Sequence, residues 1–296
     1  MTKSIVTPRG QKPNRISAGR IILYSVLVVA AVYYLLPLYV MVATSLKDLD
    51  QVREGNIFAI PLRASFDAWI KAWNTACTGL YCEGLKVGFW KSVQITVPSV
   101  LASIAIASVN GYALSYWRFR GSEVFFTILI IGSFIPYQVM LYPLVIITRE
   151  MGIFGTLPGV IFIHSIFGMP ILTLLFRNYF AALPVELFKA ARVDGAGSWG
   201  ICFQIMLPMS IPILVVAVIL QVTGIWNDFL FGVIFAGTKN WPMTVQLNNI
   251  VNTTQGVKEH NVNMAATILT GLVPLTIYFI SGRYFVRGIA AGAVKG

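Results

Sequence analysis

The stretch PVELFKAARVDGAGSWGICFQIMLPMSIP, Pro184 to Pro212, is a polar passage lodged between long apolar runs. Pro184 suits the first turn of a helix, where its missing N–H would have no partner anyway. Glu186 then lies near the positive end of the helix dipole, with Lys189 and Arg192 toward the negative end. Ala190 and Ala191 are strong helix formers whose small side chains leave a smooth face. Gly195 can take a positive φ and end this helix. Ser198 or Asp194 is expected to cap a second helix, Ile201, Ile205 and Met206 give it an apolar side, and Pro208 stops it. Two short helices joined by a glycine turn make a rigid knob. Physics alone leaves it two uses: docking in a cleft of a soluble subunit, or resting on lipid headgroups.

The flanking runs say what the knob is attached to. The chain is 57% hydrophobic and only 11% charged, with a mean hydropathy of +0.76. A soluble domain carries about 25% charged residues, so this composition reads as an all-α integral membrane protein. A spanning helix needs about 20 apolar residues. Six runs qualify: Ile21–Leu46, Ser92–Trp117, Val124–Thr148, Gly152–Phe176, a span within Ser210–Phe235, and Val262–Gly282. The net charge of +11 flanks apolar runs instead of clustering among aromatics, which argues for topology and against nucleic acid. Lys and Arg placement puts both termini in the cytoplasm, together with the Pro184 segment. The expected organisation is a basic cytoplasmic tail over residues 1–20 and one transmembrane domain over residues 21–296, with the knob at 184–208.

The connections are less decisive. Phe66, Trp69, Ile70 and Trp73 recur at helical spacing in the first outer loop, as in a short helix lying at the membrane interface. Cys77 and Cys82 share that loop; a local disulfide and two unlinked small side chains both fit. No His stands near them, so no metal site is expected. The Asn- and Thr-rich loop over Ala236–Asn261 reads either as a connection or as a contact surface.

Resemblance decides the use of the knob. Ala190, Ala191, Asp194, Gly195, Ala196, Leu207 and Pro208 fall at the spacing of the Glu-Ala-Ala…Asp-Gly-Ala…Leu-Pro signature of carbohydrate ABC-importer permeases. The signature's Glu is Lys189 here, while Glu186 matches an acidic position three residues earlier. The ion pair that the Glu would offer an ATPase is therefore not carried over. Phe119–Gly121, Trp226–Phe229 and Gly292–Gly296 match further motifs of that family. The chain resembles the second permease of a maltose-type importer, with loops most similar to the glucose/mannose type. The resemblance implies a type I permease fold of six transmembrane helices in a bacterial cytoplasmic (inner) membrane. It also implies a second permease subunit, two ATPase subunits that hold the ATP and Mg²⁺, and an extracytoplasmic sugar-binding protein.

Within the spans, Asp228 is the one acid. An ionised carboxylate at a bilayer centre costs roughly 2.5–3.5 kcal/mol or more, so it should face protein or water. With Trp226 and Asn227 it is expected to line the substrate pathway: an aromatic face beside carboxylate and amide. His164 is expected to be a buried, hydrogen-bonded imidazole, and Gln221 to bond between helices. Pro136, Pro143, Pro170 and Pro274 should kink their spans. No Gly-x-x-x-x-Gly-Lys-Ser/Thr cradle and no catalytic motif occurs, so the chain itself is read as carrying no cofactor and no catalytic residue. The rival reading is an ion-coupled secondary transporter acting alone. It wants more intramembrane charges and an internal repeat, neither of which is visible.

Overall fold

The computed structural model describes residues 18–78, 81–117, 119–253 and 257–293, with side chains to residue 282. The tail over residues 1–17, Arg118 and the ending after residue 293 lie outside the described residues, as do the side chains of Arg283 and Arg287. Every helix or strand element among the described residues is helical: α1 (Ala18–Ser45), α2 (Leu49–Arg53), α3 (Asp67–Asn74), α4 (Lys86–Tyr116), α5 (Ser122–Ser133), α6 (Tyr137–Glu150) and α7 (Leu157–Ala182). Then follow α8 (Val185–Val193), α9 (Ser198–Gly200), a π-helical turn over Ile201–Met206, α10 (Leu207–Met209), α11 (Ile211–Trp226), α12 (Leu230–Phe235), α13 (Met243–Val251) and α14 (His260–Ala293).

Among the described residues, four helices are long and apolar enough to cross a membrane as single rods: α1, α4, α7 and His260–Gly282 of α14. The third and fifth apolar runs are not straight spans. α5 and α6 meet at 104°, because the residue before Pro136 is driven out of helical geometry and Pro136 itself sits at ψ 118. The helix Ser198–Met209 meets α11 at 77°. There Pro212 has no N–H to continue the ladder, and Ser210 Oγ donates to the Leu207 carbonyl at 2.7 Å instead. Counting each bent pair once gives up to six spans.

α4 and α7 form the central pair. They approach so closely that a Cβ on Gly111 would lie 2.6 Å from Phe176 Cβ and 2.8 Å from Arg177 N. Tyr112, Ile163, Phe176 and Phe180 are buried around this contact. α1, by contrast, is exposed along nearly its whole apolar length, the surface that suits contact with lipid.

A second buried cluster joins α3, α13 and α14. α3 exists as expected, but it turns Ala68 and Ala72 inward while Phe66 and Ile70 stay exposed. Small residues permit the close approach to α14, and Lys71 pairs with Glu259. Cys77 and Cys82 are disulfide-bonded. The polar loop after α12 is no idle connection: its α13 seats Gln246, whose Oε1 accepts from Gly88 N at 2.8 Å, and Met243 N donates to Ser92 Oγ at 2.9 Å.

Candidate functional site

The knob forms an elbow. α8 carries Glu186, Lys189 and Ala190 on its exposed side, and Ala191 is buried. Asp194 ends α8, its N–H donating to Ala190 O at 3.0 Å. Gly195 turns the chain with φ +81, and Ala196 N donates to Ala191 O at 2.9 Å. Neither Ser198 nor Asp194 caps the next helix: Gly197 holds the cap position, with no side-chain hydrogen bond. The second arm also runs past Pro208, which is exposed, and half-buried Leu207, to the bend at Ser210. A π turn accommodates this, Leu207 N reaching back to Cys202 O. Such turns recur at functional sites.

Aromatic staples, which sequence patterning did not reveal, hold the elbow to the ends of the central pair. Tyr112 Oη donates to Ser198 O at 2.9 Å, and Tyr179 Oη to Met209 O at 2.7 Å. Trp117 meets Trp199 edge to face at 6.0 Å. Tyr116 stacks on Phe188. The inward side of the elbow is thus tied to α4 and α7, while Val193, at 87% exposure, points away. The outward side of the elbow carries exposed apolar surface.

Asp228 does not lie within a helix. Asn227, Asp228 and Phe229 interrupt the fifth run between α11 and α12. The Asp228 carboxylate accepts from Phe231 N at 3.3 Å and Gly232 N at 3.0 Å, and its backbone carbonyl accepts from Thr244 Oγ1 at 2.6 Å. Irregular backbone at membrane depth is tolerated where it lines a cavity or is buried in protein, and this break lines one. Asp228 and exposed Asn227 line a cavity of about 550 Å³ together with Tyr137, His164, Phe167 and Gln221.

Trp226 is not brought to this cavity. It is buried at 2% exposure, and its Nε1 donates to Thr270 O at 3.0 Å. Tyr137, Phe167 and Phe231 supply the aromatic wall in its place. Gln221 bonds between helices as expected, its Nε2 donating to Ser103 Oγ at 2.9 Å. His164 departs from expectation: among the described residues no protein group hydrogen-bonds its ring, and Asp228 Oδ2 stays 3.8 Å from Nε2, beyond bonding range.

Long apolar rods, a polar elbow stapled to one end and a polar cavity between the helices define a multi-pass membrane transport component. The chain belongs to the family of binding-protein-dependent transport system inner membrane components, which matches residues 99–291. It is 36% identical over 284 residues to a probable ABC transporter permease protein of Pyrococcus horikoshii, covering 96% of this chain and 100% of that one. It is 32% identical over 272 residues to the arabinooligosaccharides transport system permease protein of Halalkalibacterium halodurans, covering 88% and 91%. A crystal structure of a bacterial ABC transporter involved in the import of the acidic polysaccharide alginate contains a chain with the same fold. Its TM-score is 0.77 at 22% identity, covering 93% of this chain and 100% of that one. The chain is accordingly a permease subunit, not an enzyme.

Proposed function

We propose that this chain is one of two permease subunits of an ATP-driven carbohydrate importer in a bacterial cytoplasmic membrane. It crosses six times, with both termini inside, and pairs with a second permease. Two ATPase subunits hold the ATP and Mg²⁺ and grip the elbow through Glu186, Lys189, Ala190, Asp194 and the turn at Gly195. A soluble sugar-binding protein delivers substrate from outside, and Asn227 and Asp228 face the route. The name of the Halalkalibacterium relative supports a carbohydrate substrate; glucose or mannose, suggested by the loops, is the finer assignment.

The observation that carries this reading is the elbow's two-sided chemistry. One side is exposed and available to a soluble partner, and the other is fastened to α4 and α7 by hydrogen bonds from Tyr112 and Tyr179 and by the stacking of Tyr116 on Phe188. A displacement of the elbow by closing ATPases therefore passes into the central helices. The transport cycle is a two-state equilibrium that nucleotide biases; carrying such an equilibrium from 1:99 to 99:1 takes about 5.5 kcal/mol of differential binding. The test is sugar uptake by proteoliposomes holding the complete complex. Uptake should require ATP and the ATPase subunits. Uptake driven by an ion gradient in vesicles lacking those subunits would overturn the proposal.

A further inference from the structure

The cavity between α6, α7, α11 and α12 holds polar chemistry that the fold does not use. His164 has a side chain only 7% exposed and, among the described residues, no hydrogen-bonding protein partner. It lies edge to face with Phe231 at 5.5 Å. The ring lines the cavity, so its nitrogens are open to whatever occupies that space. Gln221 spends its Nε2 on Ser103, and its Oε1 lines the same space without a protein partner among the described residues. The Asp228 oxygens each accept one backbone N–H and retain further lone pairs.

This set has a definite complement. A neutral imidazole offers one donor and one acceptor, while an amide oxygen and a carboxylate offer acceptors only. A hydroxyl, which both donates and accepts, satisfies all three. Tyr137 and Phe167 stand 5.3 and 5.1 Å from Phe231, forming an apolar wall for the C–H face of a ring. Among the described residues, no Lys or Arg lines the cavity. An anionic sugar would therefore meet Asp228 with no compensating charge.

We infer that this subunit itself carries a saccharide-binding site, in which His164, Gln221 and Asp228 hydrogen-bond the hydroxyls of a neutral sugar and exclude an acidic one. The inference rests on the permease reading above and adds a recognition site and a charge selectivity to it.

The experiment uses the complete complex in nanodiscs and proteoliposomes, with radiolabelled glucose, maltose, arabinobiose and glucuronate. Saturation-transfer NMR on that complex without its soluble binding protein reads binding, and ATP-dependent uptake by the complete complex reads KM and kcat separately. Co-purification with the partner subunits confirms assembly of each variant. The wild type should bind and take up at least one neutral sugar and show no response to glucuronate. His164→Ala should raise KM for that sugar about tenfold, and His164→Asn, which keeps a donor and an acceptor, should recover part of it. Gly224→Leu fills the cavity from a position where an added Cβ meets nothing within 4 Å, and should raise KM without depending on His164. Wild-type KM in both assembled His164→Ala and Gly224→Leu complexes, transport without sugar binding to the complex, or equal handling of glucuronate would overturn the site while leaving the permease reading standing. Absence of ATP-dependent uptake of every sugar in the wild type would remove both.

Discussion

Tyr116 of α4 and Phe188 of α8 stack face to face, with ring centroids 4.6 Å apart and planes 6° from parallel. Tyr116 Oη also donates to Phe180 O at 2.9 Å, so one side chain touches α4's two neighbours at once. The ring carries the elbow, and the hydroxyl carries the end of α7. A push on α8 therefore reaches the central helix pair through a rigid aromatic contact instead of a flexible loop.

Separating those two contacts is the first test. Phe188→Ala removes the stack, which is worth about 0.5–1.5 kcal/mol beyond buried area. Tyr116→Phe keeps the stack and drops the hydrogen bond, worth about 0.5–1.5 kcal/mol. Phe188→Ala should lower uptake per ATP hydrolysed more than Tyr116→Phe does. Parallel uptake and phosphate-release assays on the same proteoliposomes check the order.

Gly195→Val isolates the backbone. The turn needs φ +81, and an added Cβ meets nothing within 4 Å, so the cost is conformational alone. A left-handed residue other than glycine costs about 1–2 kcal/mol, roughly a 5–30-fold change in the population of the turned elbow. Membrane insertion should be unaffected, ATP hydrolysis should continue, and uptake should fall. Gly195→Asn should be milder, because Asn tolerates this region. Uptake equal to wild type in the valine variant would count against the elbow as the coupling element.

Asp228→Asn separates charge from capping. Asn keeps one of the two acceptor oxygens that hold Phe231 N and Gly232 N, so the start of α12 should be weakened only in part and the complex should assemble. Loss of the negative charge beside His164 should still lower uptake. Asp228→Ala removes the cap as well, at a further cost of about 0.5–2 kcal/mol, and should show in the thermal unfolding of the purified complex. Unchanged uptake in the Asn variant would assign Asp228 to capping alone.

Gly111→Leu tests the central contact. Its Cβ would sit 2.8 Å from a backbone nitrogen of α7, an atom that cannot rotate away. The two helices must part, and overpacking of this kind costs about 1–3 kcal/mol or more. The expected result is a lower unfolding temperature in detergent and poor recovery of the complex. A stable, active variant would show that α4 and α7 have room to separate.

The contrast between Asp228 and Trp226 shows how far local pattern reading reaches. Both stand in one motif, and both look equally suited to a sugar. One lies in a helix break that opens on the cavity; the other is the last residue of α11 and turns toward Thr270. That difference is one of helix rotation and termination, which adjacent residues cannot reveal. The same holds for α3, where the tryptophans dominate the periodicity yet the alanines take the buried face. Pro136 was legible as a disruption, but its 104° consequence depends on how α6 packs afterwards.

Sequence alone determined that this chain belongs in a bilayer, that it offers a polar elbow and that it lacks a phosphate cradle. Each is a local quantity, set by hydropathy averaged over about 20 residues, by helix propensity or by a contiguous motif. Tertiary structure decided which polar groups share a cavity and what fastens the elbow. Tyr112 and the Ser198 carbonyl are separated by 86 residues along the chain, and Gln221 and Ser103 by 118. Contacts of that kind exist only once helix packing has fixed the rotation of each rod, because packing selects which side of an apolar helix is buried.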